Sequence, residues 1–203
     1  MKETKSNWDN VASFMKGKLK AISLGKHASD WFYKTPRRML NSLSYYKFAA
    51  KMIGKERRVL DIGSNEGLGT FLLAKECGYA KGIDLDEESI VRAQSNFAGE
   101  TLTFAKGDFL TISKDLGKWD AVTSFDVIGE NRALFFKAIT DSLTPHGLAI
   151  IGTPSPSDSE RFEKEMRNFF EYVFLFGASD EIVHTGYSSS TPYLIAIGAK
   201  KRA

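Results

Sequence analysis

The residues best equipped for chemistry lie in one short segment, Val59-Leu-Asp-Ile-Gly-Ser-Asn-Glu-Gly-Leu-Gly69. An apolar, strand-like run carries Asp61 near its end, the chain turns on Gly63, Asn65 and Gly67, and a helical pattern leaves from Leu68. Such a turn exposes backbone with few side chains at the carboxyl end of a strand, where a ligand can approach closely. A dinucleotide fingerprint would place glycines at 63, 65 and 68, but Asn65 and Leu68 stand at two of those positions. The Gly-Lys-Ser/Thr of a phosphate-cradling loop is also absent. Two further acids, Asp84 and Asp108, stand where later apolar runs end. No metal site is expected, because His27, His146 and His184 have no ligand-like spacing.

The segment resembles the first motif of class I S-adenosylmethionine-dependent methyltransferases, an acid followed by Gly-x-Gly-x-Gly. Here it reads Asp61, Gly63, Asn65, Gly67. Asn in the middle position is a mild change, since Asn tolerates positive φ better than most residues. The resemblance continues in register through Gly82-Ile-Asp-Leu-Asp86, Gly107-Asp-Phe109, Trp119–Ile128 and Leu143–Gly152, covering roughly residues 55–200. It implies S-adenosylmethionine as cofactor, with Asp84 accepting hydrogen bonds from both ribose hydroxyls. It further implies that Asp108 meets the adenine amino group and that Phe109 lines the ring. The implied cofactor set also includes Asp61, Gly63, Ser64, Asn65, Gly67, Leu85, Phe125 and Asp126.

Candidates for acceptor chemistry flank that set. Glu130 ends Ser124-Phe-Asp-Val-Ile-Gly-Glu130, where many small-molecule members of the family carry Glu-His or a similar pair. Its alternative role is a first-turn helix acid favoured by the dipole. A polar loop, 177–190, should overhang the rim and brings His184, Tyr187, Asp180 and Glu181. A histidine near its ordinary pKa can take a proton from a hydroxyl or amine, so His184 and Glu130 are the candidate bases. The stretch Trp31-Phe-Tyr-Lys-Thr-Pro-Arg-Arg-Met-Leu40 joins aromatics to two arginines, a mixture suited to a lid or to gripping an anionic acceptor. Its Tyr-x-Thr-Pro-Arg-Arg core, and the later Asp-Glu-x-Val-His-Thr-Gly, are similar to segments of bacterial methyltransferases of unsettled substrate, some associated with surface-glycan synthesis.

These residues need a scaffold, and the patterning supplies one. Strands are expected at Arg58–Ile62, Tyr79–Asp84, Leu102–Lys106, Trp119–Phe125 and Leu148–Gly152, alternating with helical patterns. Strand and helix in alternation mean a parallel sheet covered on both faces. Two last strands, Phe170–Phe176 and Tyr193–Ala199, follow with only a loop between them and should be antiparallel. The fold expected is α/β, a Rossmann-like doubly wound sheet of seven strands with the last antiparallel. Met39, Leu43, Tyr46, Ala50 and Ile53 mark a core helix ahead of the sheet, and the first thirty residues read as loosely helical. Residues 1–54 are therefore read as a helical cap and 55–203 as the cofactor-binding domain.

The composition agrees. The 203 residues are 42% hydrophobic and 26% charged, which excludes a disordered chain and a collagen-like or disulfide scaffold. A lone Cys77, no apolar run of membrane length and a lysine-bearing N-terminus without an apolar core read as a cytoplasmic protein. The net charge of +3 divides unevenly. Residues 1–58 hold fourteen basic and four acidic side chains (+10), and the remainder fourteen and twenty-one (−7). That basic front end keeps a nucleic-acid methyltransferase open beside the leading reading, methyl transfer to oxygen or nitrogen of a small polar acceptor such as a nucleotide-linked sugar. No base-flipping motif of the Asn-Pro-Pro-Tyr type follows the fourth strand. A non-catalytic cofactor-binding protein is the third reading.

Overall fold

The computed structural model describes residues 21–127, 129, 131–154, 159–188 and 190–202. Helix α1 (Lys26–Lys34) leads into α2 (Pro36–Ile53), whose first residue is a proline, tolerated there because the first-turn N–H has no helical partner. Gly54, at φ +84°, ends α2. Then β1 (Arg57–Ile62), α3 (Leu68–Cys77), β2 (Gly78–Asp84), α4 (Glu87–Phe97) and β3 (Leu102–Lys106) alternate. A short α5 (Phe109–Ile112) precedes β4 (Trp119–Phe125), α6 (Arg132–Ser142) and β5 (Leu143–Pro154). The chain closes with α7 (Ser159–Arg167), β6 (Phe170–Ser179), β7 (Ile182–His184) and β8 (Tyr193–Lys201).

These strands form one sheet in the order β3-β2-β1-β4-β5-β8-β6-β7. Pairing is parallel from β3 to β5, while β8 runs antiparallel to both β5 and β6. The carboxyl ends of β1, β2, β4, β5 and β6 therefore share one edge. Helices cover both faces, which is why Val59 to Ile62 are buried without alternation. On one face α2, α3 and α4 bring Tyr46, Ala49, Leu73 and Ile90 against Val59, Ala121, Ile150 and Ile195. On the other, Phe135, Phe136, Ile139, Phe162 and Met166 pack against Leu60, Val122, Ile151 and Ala196.

The α/β class and all seven expected strands are present, and the strand count needs correction. There are eight, because the polar stretch expected as a loop contains β7, paired antiparallel to β6 from Gly177↔His184 to Ser179↔Ile182. Asp180 and Glu181, at φ 51° and 61°, make the two-residue turn between them. Two successive positive φ values match the twist of a tight hairpin. Strand β5 also starts earlier than expected, at Leu143, with a register irregularity between Trp119 and Ala121 on its partner. Of the N-terminal thirty residues, 1–20 lie outside the described ones, and α1 begins at Lys26.

Candidate functional site

The site grows from a buried carboxylate. Asp61, fully buried in β1, accepts hydrogen bonds from Thr70 Oγ1 of α3 (2.6 Å), Thr123 Oγ1 of β4 (2.8 Å) and Tyr46 Oη of α2 (3.3 Å). Burial pushes its carboxyl up to about 6, against the lowering effect of the three hydroxyls. Tyr46 reaches Asp61 because its ring lies on Gly69, where any Cβ would collide with it.

Above this knot the turn follows. Gly63, Asn65 and Gly67 all sit at positive φ (78°, 50° and 84°), so Asn65 takes the left-handed conformation that a glycine would take. Gly63 and Ser64 donate their N–H groups to Ile83 O, and Asn65 N–H donates to Asp84 Oδ2 at 2.8 Å. Asp86 N–H donates to Asp84 Oδ1 at 2.9 Å, so backbone fixes both oxygens of Asp84 while each keeps a second acceptor position.

Two cavities meet at this turn. One, of about 430 Å³, is lined by Leu85, Gly107, Asp108, Phe109, Leu110 and Phe135, with Asp84 at its edge. The other, of about 310 Å³, lies under α1 and α2 and is lined by His27, Trp31, Arg38, Tyr46, Ser64, Asn65 and Phe125. Gly63, Asp84, Asp126 and Val127 line both. A Cβ on Gly63 would collide with Val127, so the junction stays narrow on the protein side.

Residues 59–147 match a family model described as a methyltransferase domain. The chain shares its fold with solved S-adenosylmethionine-dependent methyltransferases. An uncharacterized methyltransferase of Mycobacterium tuberculosis is 29% identical over 102 residues, covering 49% of this chain, and the chain spans about half (52%) of that relative's length. A TehB-like S-adenosylmethionine-dependent methyltransferase from Corynebacterium glutamicum shares the fold with a TM-score of 0.65 at 20% identity, over 87% of this chain and all of its own. The N-methyltransferase NodS from Bradyrhizobium japonicum, solved with S-adenosyl-L-homocysteine, aligns with a TM-score of 0.57 at 18% identity, over 83% and 87% of the two chains.

S-adenosylmethionine, the cofactor of the methyltransferases that share this fold, fits the residues present. Ser64 Oγ is buried on the wall of the smaller cavity with no hydrogen-bond partner among the described residues, so a ligand donor or acceptor would satisfy it. Leu85 is 68% exposed, an apolar side chain left uncovered beside buried Phe109, as an adenine slot requires.

The structure places the expected site residues unequally. Gly63, Ser64, Asn65, Gly67, Asp84, Phe125 and Asp126 line the smaller cavity, and Leu85, Asp108 and Phe109 the larger. Asp61 lines neither; its carboxylate is committed to three hydroxyls below the turn. Asp108 also caps α5, accepting from Leu110 N–H at 3.0 Å. Glu130 lies outside the described residues. His184 stands on edge strand β7 with Nε2 3.3 Å from Ser179 Oγ, and lines neither cavity. Sequence reasoning missed Glu66 and the lining role of His27. A glutamate between two turn residues was the available signal for Glu66; nothing in the sequence singled out His27.

Asp126 has φ 64° at the carboxyl end of β4, a conformation uncommon outside Gly and Asn and often found where a side chain must be aimed. Burial, and then the charges of Asp126 and Glu181, push the Tyr45 phenol up to about 12. Tyr45 stacks on Tyr193 with ring centroids 4.3 Å apart, beside Phe125.

Two measurements test this construction. Asp61's folded pKa is raised, so ionisation costs stability as pH rises from its unfolded value, 3.8, to about 6, and the full cost persists above. Relative to Asp61→Asn, the unmodified protein should lose about 3 kcal/mol between pH 3.5 and pH 7, followed by urea unfolding. A gap that stays constant with pH would refute the raised pKa. Asp84→Ala should weaken S-adenosylhomocysteine binding at least tenfold by calorimetry, since charge-assisted hydrogen bonds are worth about 1.5–3 kcal/mol each. Unchanged affinity would remove Asp84 from the site.

Proposed function

We propose that this protein methylates an oxygen or nitrogen of a small polar, anionic acceptor, with a nucleotide-linked sugar as the model compound. The observation that carries this reading is the cavity of about 310 Å³ under α1 and α2, which adjoins the larger cavity through shared residues and is of small-molecule size. In this reading residues 1–54 cap a methyltransferase domain spanning 55–203.

S-adenosylmethionine supplies an electrophilic methyl group on a sulfonium. The chain's own residues bind and align. Asp84 accepts from ribose hydroxyls, Leu85 and Phe109 hold the adenine, and Ser64, Asn65 and Gly67 receive the amino-acid end. For the acceptor, Trp31 offers a ring face and Arg38 a guanidinium, which lies 4.8 Å from that ring's centroid. The two neighbouring arginines divide the work. Arg37 is committed to Asp180 at 2.8 Å, whereas Arg38 lines the cavity with no carboxylate partner among the described residues. A guanidinium stacked on an indole and facing a cavity is equipped for a phosphate or carboxylate. Asp126, lining both cavities, orients the acceptor nucleophile and takes its proton.

Ion pairing in the N-terminal segment weighs against a nucleic-acid acceptor. Lys26 is paired with Asp86, Lys34 with Asp30, Arg37 with Asp180 and Lys51 with Glu76, so four of the nine described Lys and Arg side chains of residues 21–58 are answered within the chain.

Methyl-labelled S-adenosylmethionine, offered with nucleotide-linked sugars, neutral sugars, amines and RNA, should label the anionic sugars. Arg38→Ala should raise KM for them at least tenfold, with little change for neutral analogues. Labelled RNA with steeply salt-dependent binding would overturn the reading in favour of nucleic acid. Binding of cofactor with no product from any acceptor would favour a non-catalytic role.

The candidate bases separate in the same assay. Asp126→Asn should lower kcat by about 10²–10⁴, the usual contribution of a positioned base. His184→Ala, by contrast, should leave kcat within about threefold. A large loss on changing His184 would return the base to the hairpin.

A further inference from the structure

Helix α1 has no cap of its own. Gly25 precedes it, no acidic residue stands in its first turn, and no local side chain accepts from its N–H groups. Two of those groups are nevertheless satisfied. His27 N–H donates to Glu66 Oε1 at 2.8 Å and Ala28 N–H to Glu66 Oε2 at 3.0 Å, across about forty residues of chain. Glu66 is only 5% exposed, and Gly25 approaches it so closely that a Cβ there would overlap the carboxylate. A carboxylate this buried needs compensation, which the helix N-terminus and two N–H groups provide.

Glu66 belongs to the turn itself. Its neighbours Asn65 and Gly67 both hold positive φ, and Asn65 N–H is fixed to Asp84. The helix it grips presents His27, Ala28 and Trp31 to the smaller cavity. A second strap runs in parallel, from Lys26 Nζ to Asp86 Oδ2 at 2.9 Å, and Asp86 N–H in turn binds Asp84. Glu66 thus ties α1 to the cofactor turn directly, and Asp86 ties it to Asp84 through one backbone hydrogen bond.

We propose that Glu66 is a positioning residue that latches α1 onto the cofactor turn, so that cofactor binding and closure of the acceptor cavity are coupled. A ligand that orders residues 63–67 holds Glu66 in place and strengthens its grip on α1. The latched helix then completes the wall that meets the acceptor. By reciprocity, an unlatched helix weakens cofactor binding by the factor that cofactor binding favours latching. This rests on the cofactor site proposed above and needs no knowledge of the acceptor.

Hydrogen exchange of the full chain, with and without S-adenosylhomocysteine, tests it. In the unmodified protein the ligand should slow exchange of the His27 and Ala28 amides at least tenfold. Glu66→Gln, which keeps the side-chain volume but loses the charge and one acceptor, should speed their exchange at least tenfold without ligand. It should also abolish most of the protection by ligand and weaken S-adenosylhomocysteine affinity in calorimetry, with α6 amides serving as the check on global folding. Gly25→Ala attacks the same contact from the helix side and should reproduce all three effects with the turn unaltered. Ligand binding that leaves α1 exchange unchanged overturns the coupling alone. Normal α1 protection in both variants overturns the latch. Failure of S-adenosylhomocysteine to bind the unmodified protein overturns the cofactor reading, and the coupling with it.

Discussion

The geometry of the site depends on the Asp61 carboxylate. A fully buried acid is costly, and it is tolerated here because three hydroxyls from three different elements converge on it. Tyr46 brings α2, Thr70 brings α3 and Thr123 brings β4, so one side chain fixes how two helices and a neighbouring strand sit against β1. Removing any donor would leave the others in place but return part of the desolvation cost. The first acid of the motif is thus explained by assembly of the layer that supports the turn, and a direct contact with ligand is not needed to account for it.

On that support, the turn does its work through backbone conformation. Gly63, Asn65 and Gly67 at positive φ turn the backbone so that their N–H groups donate to Ile83 O, Asp84 Oδ2 and Ser64 O, and Gly63 brings no side chain to the junction of the two cavities. Asp84 serves twice, since its oxygens organise Asn65 N–H and Asp86 N–H before any ligand arrives. Preorganisation of this kind matters for an in-line displacement, in which catalysis consists largely of positioning. The hairpin of β6 and β7 extends the same logic at the other rim. Asp180 binds Arg37, and Glu181 N–H donates to Asn41 Oδ1 at 3.0 Å, which ties the sheet edge to α2. The two segments noted for their similarity to other methyltransferases, around Arg37 and around Asp180, are in contact.

Most of the scaffold was legible because period and punctuation agreed. Apolar runs of strand length alternated with helical spacing, and Gly63, Asn65 and Gly67 marked the turn between them. Strand β7 was hidden for a physical reason. Its hairpin turn uses Asp180 and Glu181 at positive φ, where glycine or asparagine is the usual signal, and its three residues are too few to show alternation. Helix α1 was hidden because its capping acceptor is forty residues away, and a local pattern carries no trace of a cap supplied in trans. Within the site, the carboxyl-terminal ends of strands were readable, since topology alone carries them to one edge. What the sequence did not separate was Arg37 from Arg38, adjacent and chemically alike; only the fold assigns one to Asp180 and the other to a cavity.

The charge asymmetry takes its meaning from the same contacts. A front end of +10 against a remainder of −7 looks, in sequence, like a surface built for a polyanion. In the fold, several of its basic side chains meet acids from later elements: Asp86 and Glu88 for Lys26, Asp180 for Arg37, Glu76 for Lys51. Each exposed pair is individually weak and screened by salt. Spread along α1 and α2, however, such pairs select one orientation of these helices on the sheet, while apolar burial of Tyr46, Ala49 and Ile53 holds α2 down. Division of labour between burial for α2 and carboxylates for α1 leaves α1 the more easily released element. Beyond buried Ala28, it is held to the sheet side by polar contacts with Glu66, Asp86 and Glu88, beside the smaller cavity.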